Sequence, residues 1–171
     1  MSGKALSPTS AFQQPMDMDV HIVLGSKSDL PVARKAAEIL KMLGIPYKVD
    51  VASAHRTPAK VKDIAEKSGV KVFIAIAGLS AALPGAIAAH TTRPVIGVPV
   101  SGKVNLDSIL SIVQMPPGIP VASVGLDMGG NAALLAAEIL ALSDPKLSKR
   151  LADHRAEMVR KLEEDARGLE A

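Results

Sequence analysis

Short apolar runs alternate along this chain with segments of helical periodicity, and no other sequence feature limits the fold as strongly. The runs are rich in Val, Ile and Ala, which is typical of strands buried on both faces of a parallel sheet. Strands that alternate with helices form βαβ units with right-handed crossovers. We therefore predict an α/β fold, a three-layer sandwich around a central parallel sheet of about five strands. The predicted strands are 20–24, 46–51, 70–77, 94–100 and 119–126.

Helical signals fill the intervals between these runs. Thr57 and Pro58 are typical of an N-cap followed by the first helical residue. The last helix begins at Asp144-Pro145, after the sheet is complete, and its apolar residues fall on one stripe. Such a stripe needs a partner, either the helix's own domain or a neighbouring subunit, and we expect a homo-oligomer. The predicted helices are 29–43, 58–67, from 85 to about 91, 106–113, 130–142 and 144–168.

The composition limits the classes of function. The 171 residues suffice for one domain with tails. Aromatic residues make up 2% of the chain, which argues against stacking of single-stranded nucleic acid. The net charge of +3 comes from interleaved acidic and basic residues, and such a mixed surface tolerates an anionic substrate. The absence of cysteine excludes disulfides, thiolate nucleophiles and zinc–thiolate sites.

The sequence also predicts how the chain is divided and where it acts. Residues 1–18 lack the basic start and apolar run of a secretory signal, and we expect a disordered leader. An α/β catalytic domain over 19–143 and a C-terminal helix over 144–171, packed on a neighbouring subunit, follow. The apolar runs are too short to span a bilayer. We expect a cytoplasmic protein that binds neither membranes nor nucleic acid.

A polar loop, Gly25-Ser26-Lys27-Ser28-Asp29, follows the first predicted strand. Backbone N–H groups at a helix start and serine hydroxyls favour an anion at this place. Asp29 either caps the next helix or accepts hydrogen bonds from ribose hydroxyls. The spacing matches neither a Walker loop nor a dinucleotide fingerprint.

The segment Ser53-Ala54-His55-Arg56-Thr57-Pro58 follows the second predicted strand, at the edge where open α/β sheets bind ligands. A histidine, with an ordinary pKa of about 6.5, is suited to moving protons near neutral pH. A guanidinium matches the geometry of phosphate. The alternative for His55 is a ring that is only hydrogen-bonded within its loop. We predict a site for a phosphorylated small molecule, in which His55 moves a proton and Ser53, Ala54 and Arg56 bind the ligand.

A third segment, Gly78 to Gly85, consists mostly of small residues and follows the most apolar strand. Small residues let the backbone approach a flat ligand closely. A tight helix entry capped by Ser80 is the alternative, and both descriptions can hold. The remaining histidines, His21, His90 and His154, show no metal-ligand spacing. We expect His21 to be structural and His154 to lie at the surface or an interface.

Several of these segments, in order from about residue 20 to 142, resemble the catalytic subunit family of phosphoribosylaminoimidazole carboxylase. That family is also called N5-carboxyaminoimidazole ribonucleotide mutase and belongs to de novo purine synthesis. The resemblance implies a flavodoxin-like sandwich, assembled as an octamer with active sites at subunit junctions, and no metal or other cofactor. The matching segments are 25–29, 53–58, 83–85, Gly97-Val98-Pro99-Val100, Ser111-Ile112-Val113-Gln114-Met115-Pro116 and Asn131-Ala132-Ala133-Leu134-Leu135-Ala136-Ala137.

The resemblance also implies a reaction and a set of roles. An aminoimidazole ribonucleotide would move its carboxylate, as CO2, from the exocyclic nitrogen to the neighbouring ring carbon. His55 would be the general acid and base. The implied substrate contacts are Ser26 and Arg56 to the 5′-phosphate with Ser28 nearby, Asp29 to the ribose, and Gly78, Ser80 and Ala81 to the CO2 and imidazole pocket.

One segment departs from the family pattern and keeps two alternatives open. The mutase loop reads Gly-Gly-Ala-Ala-His-Leu-Pro-Gly, and Ala82 stands in place of that histidine. The animal-type branch, which carboxylates aminoimidazole ribonucleotide directly, has Arg-Ser-Asn there, similar to Ser80, and a lysine where this chain has Arg56. Most motifs favour the mutase. Direct carboxylation is one alternative, and a noncatalytic nucleotide-binding module is the other.

Overall fold

A five-stranded, all-parallel sheet forms the centre of the computed structural model, which describes residues 18–169. The strand order is β2-β1-β3-β4-β5, and neighbouring strands pair in parallel throughout. This architecture confirms the predicted α/β sandwich. The strands are β1 (Val20–Leu24), β2 (Tyr47–Val51), β3 (Val72–Ala77), β4 (Val95–Pro99) and β5 (Ala122–Ser123).

Six helices connect and flank these strands in the described part of the chain. No helix there is long and apolar enough to cross a membrane. The predicted leader lies outside the described residues except for Met18. The helices are α1 (Leu30–Met42), α2 (Pro58–Lys67), α3 (Leu83–Ala88), α4 (Asn105–Val113), α5 (Gly129–Ala141) and α6 (Pro145–Arg167).

Two elements end well short of the bounds that their sequence patterns indicate, whereas the others differ by at most two residues at an end. The fifth strand, predicted over 119–126, pairs with β4 only at Ala122 and Ser123. Pro120 has no N–H for the ladder, and β5 is an edge strand with a single neighbour. The third helix, predicted to reach about residue 91, ends at Ala88, because the chain must turn before β4 begins at Val95.

Alternation along the strands divides the core into two layers. One face of the sheet packs on α1, α5 and the start of α6. The opposite face, with Phe73 and Val95, packs on α2, α3 and α4. β1, β3 and β4 are buried along their whole length, as central strands of a parallel sheet must be. The core therefore lies beneath the loops that end these strands.

The helices α1 and α5 approach each other closely at Gly129. A Cβ atom on Gly129 would collide with the backbone carbonyl oxygen of Val32 in α1. At the next residue, Gly130, a Cβ atom would make only ordinary contact, 3.7 Å from Cγ1 of Ile39. The first of these glycines is therefore required by the packing of two helix backbones, and the second is not.

The last helix is divided between two environments. Asp144 caps it, accepting hydrogen bonds from the backbone N–H groups of Lys146 at 2.9 Å and Leu147 at 3.1 Å. Leu147 and Leu151 are buried in the α1–α5 layer. Farther along the same stripe, Met158 is 55% exposed and Leu162 is 71% exposed. The first half of α6 thus packs on its own domain, one of the two partners expected for the stripe, and the second half is exposed in the single chain; the predicted packing on a neighbouring subunit stays a prediction.

Candidate functional site

Four parallel strands end at the same edge of the sheet, and a cavity of about 530 Å³ lies there. Because β1 lies between β2 and β3, the loop after β1 meets the loops after both neighbours. Nine of the ten predicted site residues line this cavity, although they come from three separate segments. They are Ser26, Ser28, Asp29, Ser53, Ala54, His55, Arg56, Gly78 and Ser80.

The tenth predicted residue, Ala81, lies beneath the cavity. It is 1% exposed and belongs to the hydrophobic layer formed with α2, α3 and α4. It does not appear in the cavity wall. Its small side chain packs under the loop, while Ser80 and Ala82 on either side reach the cavity surface.

The loop after β1 is closed by a reciprocal capping arrangement. Ser26 precedes a short 3₁₀ turn, Lys27–Asp29, and its backbone N–H donates to Oδ2 of Asp29 at 2.9 Å. The hydroxyl of Ser28 donates to Oδ1 of Asp29 at 3.3 Å. Asp29 therefore closes the turn and also lines the cavity, while its side chain makes no capping hydrogen bond to the next helix, α1.

The Asp29 carboxyl is buried beside charged and polar groups. Burial raises its pKa, while the Ser26 N–H, the Ser28 hydroxyl and the Arg56 guanidinium act in the opposite direction. A carboxylate offers about four acceptor positions, and the two serines occupy two of them. The remaining positions can accept hydrogen bonds from a ligand hydroxyl.

Arg56, in the loop after β2, bridges the loops that follow β1 and β2. Nη2 of Arg56 donates to the carbonyl oxygen of Gly25 at 2.9 Å, and Nε donates to Oγ of Ser53 at 3.2 Å. Thr57 accepts the backbone N–H of Ser53 at 2.9 Å. A guanidinium has five N–H donors, so three of those on Arg56 stay available for an anion.

His55 and His21 differ sharply in their surroundings. His55 is exposed and lines the cavity. His21 in β1 is 1% exposed, with Nδ1 2.8 Å from Oγ of Ser68 and Nε2 3.0 Å from Oδ2 of Asp50. Burial lowers the pKa of His21 to about 4. His21 is therefore a structural group, as expected, and His55 is the histidine that lines the cavity.

The loop after β3 contains a strained residue. Ser80 has a φ of 52°, in the left-handed region that residues other than glycine rarely adopt. Its backbone N–H donates to Oδ2 of Asp107, in the first turn of α4, at 2.9 Å. Its carbonyl oxygen accepts the N–H of Ala82. These two hydrogen bonds fix the backbone turn at Ser80, in the loop that borders the cavity.

Sequence reasoning missed Ser101 among the cavity residues. It follows β4 at the same edge, and its backbone N–H donates to Oδ1 of Asp127 at 2.9 Å. The sequence contained a signal for Ser101, because this serine directly follows the apolar strand predicted over 94–100. Ser26 and Ser53 follow their strands in a similar way, after one intervening residue. The other lining residues outside the predicted set are Gly25, Ala77, Leu79, Ala82, Leu83 and Val100.

The other titratable groups do not assemble into a second centre. Among residues 18–169, no group of three or more His, Asp or Glu side chains is placed to hold a metal ion. His90 at the end of α3 lies 3.8 Å from Oε1 of Glu66. His154 is half-buried on α6. Both lie outside the cavity wall.

Comparison with known proteins gives consistent relatives over most of the chain. A family model described as AIR carboxylase matches residues 19–161. The chain is 57% identical over 142 residues to N5-carboxyaminoimidazole ribonucleotide mutase of Methanocaldococcus jannaschii, covering 82% of this chain and 90% of the relative. It is 51% identical over 156 residues to the protein of that name from Pyrococcus horikoshii, covering 88% of each.

A solved structure shares both the fold and part of the sequence. The crystal structure of a variant of Treponema denticola PurE2 superposes with a TM-score of 0.83 at 32% identity. The match covers 91% of this chain and 100% of the other. The shared fold therefore extends beyond the sheet to nearly the whole of the described chain.

Proposed function

This chain belongs to the AIR carboxylase family, and from that premise we propose that it interconverts N5-carboxyaminoimidazole ribonucleotide and 4-carboxy-5-aminoimidazole ribonucleotide. It is then an isomerase of de novo purine biosynthesis. The observation that carries this function is the similarity to curated mutases over about four-fifths of the chain, 82% in one case. The cavity at the carboxyl edge of the sheet supplies the matching chemistry.

The cavity residues divide the substrate between them. Ser26 and the free guanidinium donors of Arg56 bind the 5′-phosphate, and Ser28 lies beside them. The open acceptor positions of Asp29 bind the ribose hydroxyls. Ser53 and Ala54 line the wall between these groups and the ring. Gly78 and Ser80 border the imidazole and CO2, and Ala81 supports them from beneath.

His55 moves one proton in each half of the reaction. When the bond between the exocyclic nitrogen and the carboxylate carbon breaks, CO2 leaves and the nitrogen takes a proton from His55. The ring carbon then attacks CO2 with its electron pair, and His55 accepts the proton which that carbon loses. Its protonation state is restored, so the two halves balance. Excluding water from the pocket keeps the free CO2 beside the ring.

Two assays with an ultraviolet readout distinguish the mutase from direct carboxylation, the reading that Ser80 and Ala82 favour. One assay supplies freshly generated N5-carboxyaminoimidazole ribonucleotide, and the other supplies the uncarboxylated ribonucleotide with bicarbonate. We expect efficient turnover only with the first. Turnover only with the second, at modest bicarbonate, would make the protein a carboxylase. Activity in neither assay would favour a noncatalytic nucleotide-binding module.

The proton-transfer role of His55 predicts the effect of removing its ring. His55→Asn should lower kcat by about 10²- to 10⁴-fold, the usual contribution of a general acid–base group. His90→Asn is the matched control, because His90 lies at the far end of α3, outside the cavity. Turnover that persists in His55→Asn at the wild-type rate would remove His55 from the mechanism.

We also propose that the protein is a homo-octamer that acts in the cytoplasm. The exposed second half of α6 supports assembly, as do the apolar side chains of Leu106, Leu110 and Val113, which α4 leaves exposed. A phosphorylated, charged substrate does not cross membranes, which supports a location where the nucleotide is made. No further partner is needed beyond the ribonucleotide, CO2 and copies of the same chain.

A further inference from the structure

Four serines follow β1, β2, β3 and β4 at the cavity edge, and the backbone N–H of each is held by a side-chain oxygen. The nitrogen-to-oxygen distance is 2.9 Å in every case. The four pairs are Ser26 with Asp29, Ser53 with Thr57, Ser80 with Asp107 and Ser101 with Asp127.

Two of these pairs join parts of the chain that are distant in sequence. Asp29 and Thr57 hold serines within their own loops. Asp107 lies 27 residues after Ser80, and Asp127 lies 26 residues after Ser101. Each of these aspartates therefore fastens a cavity loop to the following connection, Asp107 from α4 and Asp127 from the segment before α5.

The Asp107 contact accompanies backbone strain at the serine that it holds. Ser80 adopts a left-handed conformation with a φ of 52°. Such a conformation persists in a residue other than glycine when surrounding contacts determine it. The carboxylate at the first turn of α4 is itself favoured by the helix dipole. The carboxylate thus supplies a fixed acceptor at the point where the loop turns.

The Asp127 contact is built in a comparable way. Asp127 has a φ of 58°, and its own N–H donates to the carbonyl oxygen of Pro99 at 2.9 Å. Nζ of Lys35 in α1 donates to its carbonyl oxygen at 3.4 Å. Its backbone is therefore anchored on two sides, and its carboxylate receives Ser101. Neither Asp107 nor Asp127 lines the cavity.

We propose that Asp107 and Asp127 are positioning residues for the reaction, acting through Ser80 and Ser101. By holding these amides from outside the cavity, they fix the wall formed by the loops after β3 and β4. Ser101, which lines the cavity, is then a further substrate-facing residue. This inference rests on the proposed mutase function, because the wall is the one that borders the imidazole and CO2.

Paired substitutions test the role of the acceptor oxygen. Asp107→Ala and Asp127→Ala should each lower kcat by about 10- to 100-fold, because a 1 Å misplacement of a site caused from outside it can cost about 10²-fold in rate. Asp107→Asn and Asp127→Asn retain an oxygen that can accept the N–H, and they should recover most of that loss. Asp63→Ala is the matched control, because Asp63 is an exposed carboxylate paired with Lys67 on α2.

A second measurement reports the stability of the loops after β3 and β4 and does not depend on enzyme turnover. Hydrogen exchange followed by mass spectrometry should show faster exchange at 78–82 in Asp107→Ala and at 100–104 in Asp127→Ala, with an unchanged rate in β1. Calorimetric affinity for aminoimidazole ribonucleotide should fall in the same variants. Both readouts stay available if wild-type protein is inactive in the mutase assay, an outcome that would reject the proposed function alone.

The outcomes are decisive in each direction. Faster loop exchange with lower kcat or affinity, restored by asparagine, supports positioning. Wild-type kcat and affinity despite faster exchange would overturn it. Equal losses in the alanine and asparagine variants would also overturn it, since charge and not the acceptor geometry would then matter. If the alanine variant at one aspartate fails to fold, the alanine and asparagine variants at the other aspartate provide the same comparison.

Discussion

At the scale of single residues, the cavity depends on side chains that perform two tasks. Arg56 spans from Ser53 to the carbonyl oxygen of Gly25, which fixes its guanidinium plane and leaves three donors available. Asp29 caps a turn and keeps acceptor positions open. The geometry of the loop and the recognition of a ligand therefore rely on the same atoms.

This dual role predicts the effect of removing the arginine. Arg56→Ala should raise KM by about 10- to 100-fold, because a charge-assisted hydrogen bond contributes about 1.5–3 kcal/mol. The melting temperature should change little, since Arg56 is exposed. Arg93→Ala, at another exposed loop, is the control. An unchanged KM together with a collapsed melting temperature would show that Arg56 is structural.

The buried His21 predicts how stability depends on pH. Its pKa is lowered from 6.5 to about 4, so between these values the unfolded chain binds a proton that the folded chain does not. The contribution of His21 to the free energy of unfolding is fully present above pH 6.5. It falls by about 3 kcal/mol as the pH drops toward 4.

Denaturant unfolding at several pH values checks this expectation. His21→Gln cannot titrate, so its free energy of unfolding should decrease less than that of wild type between pH 6.5 and pH 4. Asp29, whose pKa burial raises, is present in both proteins, and its contribution cancels in the difference. Parallel pH profiles for the two proteins would contradict a neutral, buried His21.

At the scale of elements, the contact between α1 and α5 predicts opposite effects at neighbouring glycines. Gly129→Ala forces a Cβ atom against the carbonyl oxygen of Val32 and should destabilise the fold by about 3 kcal/mol or more. Gly130→Ala meets only Ile39 at ordinary distance, and helix propensity favours alanine by up to about 1 kcal/mol. Urea unfolding of both variants measures this contrast. Equal stabilities would mean that the two helices can separate at no cost.

The same scale shows what sequence patterns can and cannot predict. β1 was predicted with its observed bounds and the buried strands β3 and β4 to within two residues, because apolar residues on both faces leave a continuous signal. The edge strand β5 was overestimated, since an apolar run does not reveal how few ladder hydrogen bonds it makes. The loops of the site were found from polar residues after strands. Their contacts with Asp107 and Asp127, distant in sequence, left no local pattern.

At the scale of the whole molecule, the two halves of α6 predict separate effects on folding and assembly. A chain ending after Arg155 keeps Leu147, Leu151 and the ion pair between Arg155 and Glu138, 2.6 Å apart. It loses the exposed part of the stripe. The shortened chain should fold but form a smaller particle in light scattering, whereas the intact protein should have eight times the 17.7 kDa mass of one chain.

Two controls make this truncation informative. Circular dichroism should show that the shortened chain retains its fold, because the buried leucines remain. Arg160→Ala tests whether a charge on the second half of α6 affects assembly by itself. Its ion pairs, with Glu157 and Glu164, lie within α6. An unchanged mass in the truncated chain would exclude the end of α6 as an assembly surface.

The held serine amides have a consequence for how this protein can change over generations. The backbone N–H groups of these four serines already donate within the protein, so a ligand meets their hydroxyls and the guanidinium, imidazole and carboxylate groups of the cavity. Each of those groups belongs to one side chain, whereas the sheet beneath the cavity contributes buried apolar packing. A single substitution among them can therefore shift substrate preference, and at Arg56 or Asp29 it also alters the loop that carries the group.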